Sequence, residues 1–554
     1  MFTRNVRQLA IASGIKSGLG SKSVKTLYGS AAMSDVAGGD AANLVLINLV
    51  NNNSGVTVSS IPSPSVSVTD GFWVCGYYSS ALLTIYNSDG SPFVTFDRIG
   101  ATDGFLVKYN SEGNAQWATR MGGAGIDQAF SLAVDSLGNV YVSGNYASAP
   151  LTIYNADASI FRTLDLIGAT DGFLVKYNSV GNAQWATRLG STGTDGMRSV
   201  GTDFLGNVYV SGNYPSTSSL MFYNADLITF GTLAPLATNN GFIVKYNSEG
   251  TAVWAARVGG TTSTLFTYLM TVDSSGNVYV SGKSNTSGGG IVLFQNSDGT
   301  SGGSLTVSGT TNRFIVKYDS AGMVQWKTRI TFATTVVDQS YSVAVDSLGN
   351  VYASGTYSGG TSAMYSSDES AFATSLASIG SNDVYIVKYN SAGMVQWVTR
   401  MGGTLSDNAF STTADSLGNV YITGNYSSSP LTVYNSDGSQ FGTLALTTAS
   451  DGFLVKYNSA GIAQWVTRVT GSGSDQPFST TLDSLGNIYI SGQYGSSPLT
   501  VYNSDGSQFG TLALTTTVDG FLVKYNSAGI AQLATRMTGD ASDTAYKVVA
   551  YTGF

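Results

Sequence analysis

Six aspartates recur along the chain at one position of a repeated segment: Asp127, Asp195, Asp338, Asp407, Asp475 and Asp543, with Leu265 where a seventh would stand. Carboxylate oxygens set in a ring are the ligands that a hard cation such as calcium takes. A competing arrangement is written beside them. Arg120, Arg188, Arg400, Arg468 and Arg536 each stand seven residues before one of these aspartates. A short connection would bring guanidinium and carboxylate together, and a carboxylate also accepts bonds from nearby backbone N–H groups. The structural role is the stronger reading, and no metal or cofactor is expected.

General acid–base chemistry on a sugar needs two carboxylates in a cleft. The chain has three glutamates, Glu112, Glu249 and Glu369, and Asp368 beside Glu369 is the acidic pair in an irregular stretch. There is no histidine, which excludes Ser-His-Asp and Cys-His machinery and any His-ligated metal. Cys75 is the single cysteine, so no intramolecular disulfide can form. The expectation is a protein that is not an enzyme. One alternative is an extracellular carbohydrate-active or lyase-type enzyme using Asp368 and Glu369 or the ring aspartates. Another is a carbohydrate-binding module using Tyr154, Tyr434 and Tyr502.

The elements that must position these residues repeat with a fixed period. A Lys-Tyr pair returns at Lys108, Lys176, Lys245, Lys317, Lys388, Lys456 and Lys524, in steps of 68, 69, 72, 71, 68 and 68 residues. Residues 127–185 show the unit best. Phe130-Ser-Leu-Ala-Val134 alternates and ends at the turn Asp135-Ser-Leu-Gly-Asn139; Val140-Tyr-Val-Ser-Gly144 returns. After an insert come Phe173-Leu-Val-Lys-Tyr177, the turn Asn178-Ser-Val-Gly-Asn182 and Ala183-Gln-Trp-Ala-Thr-Arg188. Short β-branched and aromatic runs between Gly, Asn, Asp and Ser read as strands and turns. Four antiparallel strands per unit, here a, b, c and d, form a propeller blade. The repeat region opens on a b strand, Gly71–Gly76, and ends on an a strand, Ala545–Ala550. Joining the two closes the ring and removes two exposed sheet edges. The expected fold is all-β: a seven-bladed propeller of four-stranded blades with b-to-c hairpin inserts, closed by the C-terminal strand joining the first blade.

The motif Asp-x-Ala-Phe-x-x-x-x-Asp-Ser-x-Gly-Asn-Val-Tyr-x-Ser-Gly, followed by Asp-Gly-Phe-x-Val-Lys-Tyr-Asn and Gln-Trp-x-Thr-Arg-x-Gly-Gly, resembles the SBBP-type β-propeller repeat family, with a weaker likeness to NHL repeats. The resemblance covers about 66–554. It implies a as the innermost strand and d as the outermost, and no single activity.

Composition bounds the partners. Net charge is −8 and the isoelectric point about 4.6, which disfavours nucleic acid and anionic membranes. No apolar run reaches the roughly 18 residues of a membrane helix. Residues 1–65 form a basic N-terminal arm and Pro/Ser linker ahead of the propeller at 66–554. The arm, with Arg4, Arg7, Lys16, Lys22 and Lys25, reads as a docking tether to a larger assembly or as a targeting segment. The expected function is a structural or interaction scaffold binding a protein or glycan partner, at a surface, secreted or as a virion component. Variable loops on a rigid scaffold carry recognition, so the partner is expected on the inserts, on the face opposite the a-to-b and c-to-d turns, with 283–311 and 356–382 giving specificity. Trimming those two is expected to leave a folded propeller.

Overall fold

The side chain of Asp135 sets the first turn of the repeat. Its Oδ1 accepts from the backbone N–H of Leu137 and Asn139 at 3.0 and 2.9 Å, and its Oδ2 from Asn139 Nδ2 and the Tyr141 hydroxyl at 2.8 and 2.9 Å. Gly138 holds φ at 75°, a value that costs glycine little. The chain therefore reverses at one place in each repeat, and Asp203, Asp273, Asp346, Asp415 and Asp483 make the same Asn-N–H and Tyr-hydroxyl contacts.

The computed structural model describes residues 47–52, 55–60 and 71–550, except 216–217, 237–238, 261–263, 286–289, 308–310 and 333–340. The chain divides into two units, Met1–Thr69 with Gly553 and Asp70–Thr552 with Phe554. In the first, Ile47–Asn52 pairs antiparallel with Gly55–Ser60. The basic arm and Asp338 lie outside the described residues. The second unit is a seven-bladed β-propeller.

Blade two shows the order. Strands Asp127–Val134, Val140–Tyr146, Asp171–Tyr177 and Ala183–Gly190 are a to d, each antiparallel to the next. In blade one the a strand is the C-terminal Asp543–Ala550, paired with Gly71–Tyr78 through Phe72↔Ala550 to Tyr78↔Asp543. The offset of repeat and blade closes the ring as the sequence predicts.

Five blades are six-stranded sheets, two strands more than expected, and blades three and four join into one 12-stranded sheet through the single pair Asn239↔Thr264. The extra pair is the b-to-c hairpin, and it belongs to the neighbour. In the second repeat, Leu151–Tyr154 and Ile160–Leu164 form the hairpin, and Leu151–Tyr154 pairs with Ala115–Gly122, strand d of blade one, through Thr152↔Gly122 and Ile153↔Met121. The exchange recurs around the ring and across the chain ends, where Leu82–Tyr86 pairs with Ala531–Thr538. Strand d would otherwise leave its outer backbone groups unpaired. The hairpin tip then folds against its own repeat: Asn155 Oδ1 accepts from Ala183 N–H at 2.8 Å, and Ala156 N–H donates to the Gly181 carbonyl at 3.0 Å. The tips thus sit beside the c-to-d turns, which corrects the expectation that the inserts stand on the opposite face.

Apolar residues of neighbouring blades fill the gaps between them. Trp73, Leu106, Trp117 and Met121 of blade one pack with Val142, Tyr146, Phe173 and Val175 of blade two and with hairpin residues Leu151, Ile153 and Leu164. The tryptophans reach one blade further: Trp117 Nε1 and Lys108 Nζ both donate to the Ser179 carbonyl, at 3.0 and 3.2 Å. Lys524 carries the pattern across the closure to Ser111 at 3.3 Å.

Because Ile153 is fully buried, Ile153→Ala should lower the unfolding free energy by about 2–4 kcal/mol, read from urea denaturation. Leu137→Ala, at an a-to-b turn where the side chain is 72% exposed, should stay within about 0.5 kcal/mol. Equal midpoints for the two variants would place the hairpin outside the cooperative fold.

Candidate functional site

The a-strand aspartates do not line an open channel. Asp127, Asp195, Asp407, Asp475 and Asp543 are fully buried. Each accepts from a serine hydroxyl: Ser148 for Asp127, Ser191 for Asp195 at 2.9 Å, Ser428 for Asp407 at 2.7 Å, Ser496 for Asp475 at 2.6 Å and Ser80 for Asp543 at 2.6 Å. The arginines go elsewhere. Arg120, Arg188, Arg400, Arg468 and Arg536 donate to the backbone carbonyls of Asp97, Asp165, Ala377, Ala445 and Ala513. Their charge acts on a second set of buried aspartates at the head of strand c: Asp103, Asp171, Asp383, Asp451 and Asp519. Burial is the main cause that pushes Asp127, Asp195 and Asp407 up to about 6, and Asp475 and Asp543 up to about 7. The nearby strand-c carboxylate adds to each rise, while the serine contacts oppose it.

The acidic pair is part of a turn. Asp368 Oδ1 accepts from the N–H and hydroxyl of Ser370 at 2.9 and 2.6 Å, as Asp157, Asp437 and Asp505 do from Ser159, Ser439 and Ser507. Glu369 has φ of 65° and stands where Gly438 and Gly506 stand in their hairpins. Its carboxylate lies 3.4 Å from Arg329 Nη1. What looks in sequence like an irregular acid pair is the repeat's hairpin turn with an unusual residue at its left-handed position. Tyr154, Tyr434 and Tyr502 end the first hairpin strands and are half-buried. The guanidinium groups of Arg120, Arg400 and Arg468 cover their rings at 5.1, 4.9 and 4.9 Å. These five residues therefore do not meet in one site.

The structure brings together a different set. In five a strands the pairing with strand b skips one residue: Phe130, Arg198, Phe410, Phe478 and Tyr546. Such a bulge bends the strand and re-aims the side chain. The five form a collar on the inner ring, near the d-to-a end of each strand. Phe130 meets Tyr546 at 5.2 Å between centroids, Tyr546 stacks on Phe478 at 5.6 Å, and Phe478 meets Phe410 at 5.5 Å. Tyr77 packs on Phe130 and Tyr546 at 6.1 and 6.3 Å, and the Arg198 guanidinium lies 5.2 Å from the Phe130 ring centre. The aromatic members keep part of their surface open and Arg198 is exposed.

Further along the inner strands lies a cavity of about 160 Å³ on the ring axis, lined by residues of all seven a strands, among them Ser131, Ser199, Ser342, Thr412, Thr480 and Lys547. Lys547 is the charged residue in that lining. Reading the repeat for its common residues hides both features. The signal is the third residue after each strand-opening aspartate, and the final strand, Asp543-Thr-Ala-Tyr-Lys547, whose fifth residue is lysine where the other aspartate-opened strands carry serine.

The raised aspartates fix a pH dependence. An unfolded chain releases these protons near pH 4, the folded chain only near 6 to 7, so the folded state holds more protons between and loses stability as pH rises through that window. No histidine titrates there. The urea midpoint should be higher at pH 5 than at pH 7.5, and Asp475→Asn should flatten the slope. A midpoint that climbs from pH 5 to 7.5 would contradict the assignment.

The family model described as a β-propeller repeat, SBBP, matches residues 116–145, 184–213, 253–289 and 325–356. An uncharacterised WD repeat-containing protein of Acanthamoeba polyphaga mimivirus is 28% identical over 485 residues, covering 80% of this chain and 35% of that protein. The chain thus spans about a third of that relative's length. The regulatory protein FlaEY of Caulobacter vibrioides is 28% identical over 156 residues, covering 26% of this chain and 16% of that protein. Among solved structures, the Dos1 propeller has a TM-score of 0.33 at 11% identity, covering 75% of this chain and 93% of that one. A protein from Lactobacillus plantarum has a TM-score of 0.32 at 11% identity, covering 85% and 99%. Four segments of the polypeptide match the SBBP β-propeller repeat, within a chain folded here as a seven-bladed ring.

Proposed function

We propose that the protein is a non-enzymatic interaction scaffold that takes a protein or glycan partner at the mouth of its central channel, as a surface or particle component. The observation that carries this reading is the collar of Phe130, Phe410, Phe478, Tyr546 and Arg198. Aromatic side chains and arginine supply large contact area with a polar handle and dominate binding hot spots. The similarity to a mimivirus protein supports the particle setting, as does a composition with only three glutamates and 26 lysines and arginines in 554 residues. The basic arm of residues 1–33 is the proposed tether.

This reading moves recognition from the hairpin inserts to the channel mouth. Val292, Phe294, Leu305 and Val307 of the hairpin in insert 283–311 are buried against blade three, so trimming it removes core as well as surface.

Glycan arrays and co-sedimentation with purified particles or membranes supply the partner. Phe130→Ala with Arg198→Ala should weaken its capture about tenfold or more, since hot-spot residues contribute about 2 kcal/mol each, while melting stays within a few degrees. Asp437→Ala, at an exposed hairpin tip, should leave capture unchanged. Capture that survives the collar variants and fails on the tip variant would overturn the proposal.

A further inference from the structure

The inner ring carries one repeated contact at five of its seven blades; blade four has Leu269 at the position and the closing blade has Lys547. Ser131 Oγ accepts from the N–H of Val200 in the next blade at 3.1 Å. Ser199 does the same with Met270 at 3.2 Å, Ser342 with Thr412 at 2.8 Å, Ser411 with Thr480 at 3.1 Å and Ser479 with Val548 at 3.3 Å. Each of these serines also faces a hydroxyl residue across its own blade: Ser131↔Ser143, Ser199↔Ser211, Ser342↔Ser354, Ser411↔Thr423 and Ser479↔Ser491. In blade one the corresponding pair is Lys547↔Cys75. Blade four replaces the serine with the apolar Leu269, and blade one alone replaces the hydroxyl pair with an amine and a thiol.

The amine lines the axial cavity. Among the described residues, the Cys75 thiol is the acidic group that acts on it, and burial holds that thiol well above its ordinary range, so it stays neutral. No ion pair to Lys547 exists among the described residues. Lys547 is half-buried; an ammonium drawn partly out of bulk water without a counterion is disfavoured, and burial lowers the Lys547 pKa. The surroundings are rich in hydroxyls. Ser131 and Ser342 use their oxygens to accept backbone N–H bonds, which leaves the hydroxyl protons to donate. Thr480 Oγ1, in the same lining, is buried with no partner. The volume of about 160 Å³ exceeds what one water needs by roughly tenfold.

We propose that this cavity binds a compact oxyanion of the phosphate type, with Lys547 supplying the charge and the surrounding serine and threonine hydroxyls donating to the oxygens. Lysine serves phosphate as a point charge, and here the charge sits inside a ring of neutral donors. The site lies along the axis from the collar and does not depend on which partner the collar takes.

The probe is inorganic phosphate, titrated into the full chain against sodium chloride at constant ionic strength. Phosphate stabilises many proteins by exclusion from their surface, so the comparison is with Lys547→Ser, which restores the residue of five other blades. The wild-type chain should gain melting temperature and broaden the phosphorus resonance of phosphate saturably. Lys547→Ser should fold, melt at least as high in chloride, and bind phosphate about tenfold more weakly or worse, a loss of about 1.4 kcal/mol. Should Lys547→Ser fail to fold, Lys547→Gln takes its place. Equal phosphate responses in wild type and variant, or no saturable response in the wild type, would overturn the proposal.

Discussion

Every other feature of this propeller depends on the covering of strand d. An antiparallel sheet ends in a row of unpaired N–H and C=O groups, and a ring of four-stranded blades would carry seven such rows around its rim. Here the C-terminal end of each row is paired, over two or three residues, by a hairpin from the following repeat. Neighbouring blades are thereby joined at three radii: by serine hydroxyls on the inner strands, by Trp and Lys donors to the next c-to-d turn, and by exchanged hairpins at the rim. Since the last hairpin exchange and the last a strand both link the two ends of the chain, neither end of the ring is free to fray alone.

That constraint decides where recognition can sit. The inserts are long and differ most between repeats, which in many scaffolds marks a binding loop. In this chain the same length is used for pairing and burial: Leu83 and Ile85, Leu151 and Ile153, and Leu499 and Val501 are all fully buried. On the proposed function, the surface that takes a partner is where the repeated contacts stop. On the axis the a strands bulge, and the residues thrown inward differ from blade to blade, with arginine at one and tyrosine or phenylalanine at four. Symmetry builds the frame, and departures from it sit around the channel.

Much of the fold was legible in the sequence for a physical reason. Asp135-Ser-Leu-Gly-Asn139 writes a turn whose hydrogen bonds are almost all local, so its spacing gives strand count and blade phase directly. The hairpins were legible as hairpins, from Leu151-Thr-Ile-Tyr154 and its turn, but not their destination. Pairing between strands of different blades is a long-range choice that local pattern does not encode. The same limit misassigned Arg120: seven residues from Asp127 along the chain, it lies across the register from Phe105 and acts on Asp103. Asp368 and Glu369 looked irregular because glutamate replaces the usual glycine, although the backbone there is the ordinary turn. Lys547 was overlooked because it is one substitution in the last strand, visible only once serine is known to hold the ring elsewhere.

Amide hydrogen exchange tests the account most directly, because exchange reports whether a backbone group is paired within the cooperative fold. If each hairpin completes the neighbouring blade, peptides covering Leu151–Tyr154 and Leu499–Tyr502 should be protected nearly as well as those covering Ala115–Gly122 and Ala463–Thr470, the strands they pair with. Exchange in the hairpins as fast as in an exposed turn such as residues 135–139, with strand d still protected, would contradict it and return the inserts to the role of surface loops.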